Sequence, residues 1–464
     1  EFRGSAARIE ELPDELRRQV LAFRETRAGQ FATRIFREHR PPLCNQQQLP
    51  KEPGLFARMW TRVAGLLFGR KLWVFLFAFG GKRTPMLRFG RQVLVNKHEL
   101  VTAVLDRDTD FTIEEINRDK MAKLSVSFFL GMDRSAQHER EVSMTRGTVH
   151  KGDLDTIRTI VRKAAHTQVE LARDFGRIDV VTSLAEVVLV RLVADYFGVT
   201  GPSEAAMKRW LRLLFWDMFL NPKDDEEVHQ AGLKAASGLE QHLARIITSR
   251  RHVLEDTPGI LADNLLNRML RAQREPGNEW LDNDTVRRNI SGLIIGALST
   301  NAKAVVLVLD ELLDRPEALR EAMTAAQQDD IDTVHHYAFE ALRFNPHSPG
   351  LLRFAEEAQS VCGPDGKSRK IKAKSTVYVG LSPAMFDPDH FPSPKKFDPT
   401  RDLKSYLHFG VGLHQCFGRH INAIVIPELC AAVLKLKDVR RGPGRTGRKL
   451  YEGPFPTNFV LNFG

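Results

Sequence analysis

The feature that most constrains this 464-residue chain is a ten-residue run around one cysteine, Phe409 to Gly418, with the sequence FGVGLHQCFG. Its three glycines allow a tight turn and a close approach of the backbone to a flat, bulky group. An apolar stretch with helical period follows, and we predict a helix from about Arg419 to Leu436. The helix would begin near the Cys416 sulfur, where its dipole favours a thiolate.

Three simpler interpretations of this run compete with a cofactor site. A lone cysteine is most often a small buried apolar residue. His414 and Cys416 have the spacing of half a zinc site, but no second Cys/His pair stands at a finger-like spacing. Gly410-x-Gly412 matches part of a dinucleotide fingerprint, but no suitable acidic residue follows about twenty positions later.

Taken as a unit, the run resembles the haem-binding loop of the cytochrome P450 superfamily, F-x-x-G-x-R/H-x-C-x-G. The resemblance implies a haem b cofactor whose iron has the Cys416 thiolate as axial ligand, the metal ligand of this site. Such a thiolate pushes electron density onto the iron and favours O–O cleavage. It also implies a mainly α fold with a small β region in a single large domain. Further cofactor-binding candidates are His414, Arg353, Phe409, Gly410, Gly418 and His138.

A second motif, EALR at 340–343, lies in an apolar stretch with helical period. Residues three apart on a helix can form an ion pair, although such pairs are common and usually solvated. With Arg353 downstream, the arrangement resembles the E-x-x-R helix of the same superfamily. The resemblance implies that Glu340 and Arg343 are structural and interlock with the segment near Arg401. Arg353 and His414 would then neutralise the haem propionates.

The sequence around residues 133–140 resembles the haem-propionate-binding helix that lies in the first half of the superfamily's chain. An arginine normally stands four residues after the histidine of that helix, but Val142 occupies this position here. His138 and Arg140 therefore remain the candidates in this segment.

A long apolar stretch, Asp284 to Leu313, is predicted to form one buried helix. Its small residues fit either close helix packing or a helix that leaves room for oxygen or substrate over the haem. The run GALST at 296–300 resembles the oxygen-binding helix of the superfamily, A/G-G-x-D/E-T. The candidate catalytic residues are therefore Gly296, Ser299, Thr300 and Asn301.

This run departs from the superfamily pattern at one position. Ser299 stands where the acidic residue is expected, while Thr300 keeps the alcohol. Positioned proton transfer is typically worth ~10²–10⁴ in rate, so an incomplete acid–alcohol pair matters. Either water and the two hydroxyls supply protons, or the O–O bond arrives preformed in a peroxide.

We divide the chain into residues 1–5, which look like a cloning remnant, an N-terminal helical extension at 6–84, and a haem-thiolate catalytic domain at 85–464. The extension contains the most apolar region, Gly54–Gly81, which fits core-packed helices or an amphipathic stretch on a membrane surface. Charged residues interrupt it, so a transmembrane span is not predicted. Further predictions are a strand at Leu87–Val95, a helix at Lys97–Leu105, two helical segments within 153–198 and a pocket-covering aromatic segment at Trp210–Leu220.

The net charge of the chain is +10, and the Lys and Arg residues are spread along its whole length. This indicates a solvated basic surface, or a surface that docks an acidic electron carrier or anionic lipid. A basic face near Lys395, Lys396, Arg401 and Arg419 would suit such a carrier. Four scattered cysteines favour a reducing cytoplasm, with peripheral membrane contact as a further prediction. No motif for nucleic-acid binding is present.

The function predicted is that of a haem-thiolate monooxygenase acting on a small apolar, fatty-acid-like substrate. Because no flavin or ferredoxin domain is recognisable, electrons would come from a separate ferredoxin and ferredoxin reductase. The rival prediction is a peroxide-using enzyme or one that rearranges fatty-acid hydroperoxides. It rests on Ser299 and on the similarity of Phe339–Arg353 to the haem-thiolate halves of fungal oxylipin-forming fusion enzymes. A non-catalytic haem-binding sensor is the alternative from another class.

Overall fold

The computed structural model describes residues 85–464, apart from 222–224, 258 and 364. The predicted extension at 6–84, including its apolar region, lies outside the described residues, so its boundary stays a prediction. The helices are α1 His98–Asp106, α2 Glu114–Lys123, α3 Ala136–Gly147, α4 Asp153–Arg173, α5 Glu186–Asp195, α6 Glu204–Leu220, α7 Glu226–Asp256, α8 Leu265–Ala272, α9 Asn283–Ala297, α10 Ser299–Leu313, α11 Pro316–Gln327, α12 Ile331–Phe344, α13 Leu381–Ala384 and α14 Arg419–Leu434.

The strands of the described part form four small sheets. They are β1 Met86–Phe89, β2 Gln92–Val95, β3 Arg177–Asp179, β4 Leu351–Ala355, β5 Gln359–Cys362, β6 Ser368–Ile371, β7 Ser375–Val379, β8 Arg440–Arg441, β9 Leu450–Glu452, β10 Phe455–Asn458 and β11 Val460–Asn462. Their orders are β1-β2-β7-β4, β3-β11-β8, β9-β10 and β5-β6. The predicted fold class, mainly α with a small β region, is confirmed.

The first sheet corrects one prediction. Leu87–Val95 was predicted to be a single strand, but Gly90 at φ +63° turns the chain into an antiparallel hairpin with Met86 opposite Val95. A positive φ suits glycine because it lacks a Cβ. Strand β2 runs parallel to β7, which pairs antiparallel with β4 and brings Arg353 opposite Val377 on the buried face.

The long apolar helix is also different from its prediction. It is interrupted at Leu298 (φ −88°, ψ −74°), which separates α9 from α10. By length and composition Asn283–Leu313 is able to cross a membrane, but 83% of its most apolar window is buried inside the protein. It is therefore placed as a core helix, and the interruption falls inside the predicted catalytic run.

Other predicted elements agree with the structure to within a few residues. Helix α1 matches the prediction at Lys97–Leu105, and α14 ends two residues before the predicted Leu436. Within 153–198 the two helices α4 and α5 are separated by β3 and a π-helical turn at Val180–Ala185. The aromatic segment at Trp210–Leu220 forms the second half of α6. A Cβ at Gly453 would lie 2.2 Å from the Trp216 ring, so α6 packs tightly on the β9–β10 hairpin.

Three histidines of the folded core make stability depend on pH. Burial lowers the pKa of His98, His335 and His408 to about 4 each, with the charge of His390 adding to the effect at His98. Between pH 6.5 and 4 the unfolded chain therefore binds more protons than the folded one, and stability falls as the pH is lowered. Each histidine accounts for up to about 3 kcal/mol of the free energy of unfolding that is lost on acidification.

We expect the urea midpoint to fall between pH 7 and pH 5. The substitution His335→Phe should lower the slope of the free energy of unfolding against pH by the equivalent of about one proton. His335 is the best choice because its Nε2 has no hydrogen-bond partner among the described residues. Equal slopes for the variant and the parent protein would show that His335 does not contribute.

Candidate active site

The cysteine loop is held by its own backbone. The Cys416 N–H donates to the Phe409 carbonyl at 2.9 Å, which closes the run into a ring. Gly410 and Gly412 have φ values of +65° and +75°, as their positions in a tight turn require. A Cβ at Gly412 would lie 2.7 Å from the Leu105 carbonyl oxygen, so the loop rests against the end of α1.

The protonation of Cys416 differs from the prediction. Burial raises the pKa of the Cys416 thiol, and the hydrogen bond from the Gly418 N–H only partly opposes this effect. The start of α14 therefore does not make the sulfur a thiolate by itself. A metal cation at the sulfur would do so, because a coordinating thiol is deprotonated outright.

Three predicted cofactor-binding residues lie close together near this loop. The rings of His138 and His414 are 6.3 Å apart in an edge-to-face arrangement. Arg353 is buried, and its Nη1 donates to the Leu352 carbonyl at 2.8 Å. Burial lowers the pKa of Arg353 to about 10, so the guanidinium stays charged at neutral pH.

These residues carry polar atoms that the protein does not satisfy. Four buried side-chain nitrogens have no hydrogen-bond partner within the described part of the chain: His138 Nδ1, Arg353 Nε, His414 Nδ1 and His414 Nε2. Burial, with the positive charges of Arg353 and His138, lowers the pKa of His414 to about 3. Unpartnered buried donors beside a buried cation fit a bound group that carries carboxylates, as the haem propionates do.

The neighbouring helix gives a mixed result. Arg140 does not reach this cluster, because its guanidinium lies over the Trp280 ring at 5.3 Å. Arg134, which the sequence analysis did not single out, pairs with buried Asp108 at 2.9 Å. Asp108 and Arg134 both act electrostatically on His414.

Glu340 and Arg343 form a fully buried ion pair on α12. Arg343 donates to both Glu340 carboxylate oxygens, at 2.7 and 2.9 Å, and each side chain is 0% exposed. The remaining donors of Arg343 reach backbone carbonyls of Met385, Pro394 and Lys396 at 2.7–3.1 Å. The pair thus ties α12 to the segment that precedes the cysteine loop.

Glu340 has three further partners on that segment. It accepts from the Asp398 N–H at 2.9 Å and from the Tyr406 hydroxyl at 2.7 Å. The Arg401 side chain is 9% exposed and lies 3.6 Å from Glu340. Arg401 therefore belongs to this buried network and not to the predicted docking face, whereas Lys395, Lys396 and Arg419 are exposed.

The two glycines of α9 have different surroundings. A Cβ at Gly292 would lie 2.3 Å from the Phe128 ring, so this glycine is needed for close packing. A Cβ at Gly296 would meet nothing within 4 Å. The structure therefore has open space beside Gly296, which lies two residues before the helix interruption at Leu298.

The polar residues that follow have distinct partners. The Thr300 hydroxyl donates to the Gly296 carbonyl, across the interruption. Ser299 is 3% exposed, and its hydroxyl has no partner among the described residues. The Asn301 amide donates to the Ala297 carbonyl at 2.8 Å and to Asn422 Oδ1 at 3.0 Å. Asn301 is thus bonded to α14, the helix that begins just after Cys416.

The sequence analysis missed Asn422 and His408. Asn422 stands six residues after Cys416, and its position on the first turns of the predicted helix was the available signal. His408 immediately precedes Phe409 and bonds to the Phe339 carbonyl at 2.9 Å. Only the three-dimensional structure places these two residues against α10 and α12.

A helical core with a glycine-rich cysteine loop, a buried Glu–Arg pair and an interrupted helix with open space defines the haem-thiolate class of enzyme. The family model for Cytochrome P450 matches residues 79–436. The chain belongs to the cytochrome P450 family and is an oxidoreductase.

Several relatives share part of the chain. A bifunctional dioxygenase–epoxy alcohol synthase of Fusarium oxysporum is 37% identical over 147 residues, which are 32% of this chain and 11% of that enzyme. Cytochrome P450 monooxygenase PikC of Streptomyces venezuelae is 29% identical over 249 residues, 53% of each chain. The chain thus spans about half or less of the length of these relatives.

Two solved structures share the fold. CalO2 superposes with a TM-score of 0.73 at 20% identity and covers 86% of this chain and 97% of its own. P450BioI, solved with a hexadec-9Z-enoic acid ligated acyl carrier protein, has a TM-score of 0.72 at 17% identity, covering 87% and 100%. At such identities the likeness concerns the fold alone.

Proposed function

We propose that this chain is a haem b monooxygenase that inserts oxygen into a small apolar, fatty-acid-like substrate. The observation that carries the proposal is the open space beside Gly296, the residue whose carbonyl accepts from the Thr300 hydroxyl. A helix that leaves room at this point and keeps an alcohol there suits binding of oxygen beside an apolar substrate.

The residues have separate roles in this proposal. Cys416 holds the iron, and Phe409, Gly410 and Gly418 shape the loop around it. Arg353, His414 and His138 would hold the propionates, whose carboxylates would accept hydrogen bonds from the unpartnered Arg353 Nε–H and from the protonated nitrogens of the two histidines. When bound, a haem with a thiolate ligand supplies the chemistry that cleaves an O–O bond.

On the distal side, hydroxyls hold the protons. The Thr300 hydroxyl donates its hydrogen bond to the Gly296 carbonyl, so its oxygen is left to accept a hydrogen bond from a water or a bound ligand. The unpartnered Ser299 hydroxyl can donate to the same water. Since neither group is acidic, we propose that water passes protons between them.

Aromatic contacts support an apolar substrate. The Phe215 ring lies 5.0 Å from Phe219 and 5.8 Å from Phe455. This series runs from the partly exposed Phe219 to the buried Phe455, which lies under Lys303 of α10 at 5.9 Å. An apolar chain can follow such a series of rings toward the distal helix.

Electrons would come from a separate ferredoxin and ferredoxin reductase. Exposed Lys395, Lys396 and Arg419 lie on the segments that flank the cysteine loop. They would attract an acidic carrier to the face nearest the iron. We propose a cytoplasmic location, with peripheral membrane contact as a further part of the proposal.

A second candidate function has its own support. Ser299 replaces the expected acid, and the epoxy alcohol synthase of Fusarium oxysporum shares 37% identity over part of the chain. Both observations favour an enzyme that rearranges a fatty-acid hydroperoxide without an electron donor. The loss of the acid at Ser299 fits such an enzyme because its substrate already contains the O–O bond, so no proton relay is needed to form it.

One experiment separates the two functions. Purified holoprotein is given either a fatty acid with oxygen, ferredoxin, reductase and NADPH, or a fatty-acid hydroperoxide alone. Under the proposal, hydroxylated acid forms only with the electron donors. Ser299→Asp introduces an acid and should raise the rate of product formation by up to ~10², while Ser299→Asn, whose side chain is nearly isosteric with that of Asp, should not.

Fast conversion of the hydroperoxide to epoxy alcohols or diols without donors would make the second function primary. In that case Ser299→Asp would bring no gain. Haem that turns over neither substrate would favour the non-catalytic sensor.

A further inference from the structure

His408 lies between the two motifs that define the site. Its Nε2 is 2.9 Å from the carbonyl oxygen of Phe339, the residue just before Glu340 on α12. Its ring stacks on Tyr406 with centroids 5.0 Å apart and an interplanar angle of 23°. The Phe339 ring meets it edge-on at 5.5 Å.

The hydrogen bond fixes the tautomer of this histidine. A carbonyl oxygen only accepts, so Nε2 must carry the proton. Burial lowers the pKa of His408 to about 4, so the ring is neutral at physiological pH. His408 is therefore a permanent single donor to α12 and not a group that titrates during turnover.

Two residues next to His408, the stacked Tyr406 and the following Phe409, are bonded to residues of the site. On one side, Tyr406 donates its hydroxyl to Glu340 at 2.7 Å. On the other side, Phe409 contacts the Phe339 ring at 5.7 Å, and its carbonyl accepts the Cys416 N–H at 2.9 Å. His408, which is bonded to α12, is thus adjacent in sequence to Phe409, whose carbonyl is bonded to the Cys416 N–H.

We infer that His408 is a positioning residue that fastens the start of the cysteine loop to α12 and so sets the place of the Cys416 sulfur. The Glu340–Arg343 pair holds the segment before the loop, and His408 holds the first residue of the loop itself. The inference rests on Cys416 being the haem ligand, as proposed above.

The chain offers a matched control in His335. Its ring lies against the same Phe339, edge-on at 4.2 Å, but its Nε2 has no hydrogen-bond partner in the described part of the protein. Removing His335 therefore removes a buried imidazole at Phe339 without removing a bond to the loop. The conservative variant His408→Gln keeps a side-chain N–H that reaches toward the same carbonyl.

The test follows two signals of the reduced carbon monoxide complex in mild urea. One is the thiolate-type absorption, and the other is far-ultraviolet circular dichroism. We expect His408→Leu to lose the thiolate-type absorption about fivefold faster than wild type, the equivalent of a hydrogen bond worth about 1 kcal/mol. The dichroism should be unchanged over the same period, and His408→Gln should restore most of the lifetime.

The inference is overturned if His408→Leu and His335→Leu lose the absorption at the same rate, or if the absorption falls only together with the dichroism. Failure of the proposed assignment of Cys416 as haem ligand looks different. In that case the wild-type holoprotein would have no thiolate-type absorption at the outset.

Discussion

Replacing Glu340 with alanine is expected to yield protein that binds almost no haem. The substitution leaves the Arg343 guanidinium fully buried without its carboxylate partner, and it also removes the acceptor for the Asp398 N–H and the Tyr406 hydroxyl. Removing one partner of a buried ion pair costs about 3–5 kcal/mol because the other charge is left uncompensated. This is a large part of a typical folding free energy.

The loss should fall on the haem site before it affects the whole fold. Glu340 and Arg343 connect α12 to backbone groups at 385, 394, 396 and 398, all upstream of the cysteine loop. With this segment released, the bond from His408 to the Phe339 carbonyl remains, but Phe409 and Cys416 lose the support of the segment before them. The haem-to-protein absorbance ratio of purified protein is the direct measurement, and a thermal melt reports on the rest.

Asp155→Ala is the matched control for this substitution. Asp155 also pairs with an arginine three residues along a helix, Arg158 at 3.1 Å, but its side chain is 85% exposed. Exposed pairs are worth about 0–1 kcal/mol, so this variant should load haem normally. Normal haem loading by the Glu340 variant as well would show that the buried pair is not needed to form the site.

The sequence predicted the parts of the fold whose pattern is local. Helix α12 and its ion pair follow from the spacing of Glu340 and Arg343, because a helix brings residues three apart to one face. The turn of the cysteine loop follows from its glycines, which adopt positive φ at 410 and 412. In these cases neighbouring residues carry the information.

Features that depend on distant partners were missed or predicted wrongly. The hairpin at β1–β2 has the alternation of one strand, and only its pairing with β7 and the turn at Gly90 show that it is two. Arg401 has the charge of a surface residue, but the fold buries it beside Glu340. The bond from Asn301 to Asn422 joins residues 121 positions apart, so no local pattern could predict it.

The Cys416 prediction combined both kinds of information. Its loop and the helix after it were predictable, but the helix dipole is a modest influence, worth about 0.3–1 kcal/mol at exposed sites. Removal of the sulfur from water acts in the opposite direction and raises the pKa of the thiol. The partly buried Cys416 thiol is therefore not made a thiolate by the protein alone, and we propose that a bound iron would deprotonate it.

Replacing Cys416 with alanine is expected to abolish the thiolate-type absorption of the reduced carbon monoxide complex. The sulfur is the proposed iron ligand, and alanine offers no donor atom in its place. Turnover should fall by more than about a hundredfold, because even the loss of an outer partner of a metal ligand typically costs 10–100-fold. The absorption spectrum and product formation with the preferred oxidant are both measured on protein reconstituted with haem.

Two other cysteines serve as controls for Cys416. Cys430 is buried on α14, the helix that follows Cys416, and Cys362 is exposed on β5. Cys430→Ala removes a buried thiol without touching the loop, and Cys362→Ala removes an accessible one, so both should keep the wild-type spectrum. If Cys416→Ala also kept it, the ligand would have to be another residue, and the loop would be only a packing element. A loss confined to Cys416→Ala assigns the ligand, because the three substitutions remove the same atom from three different surroundings.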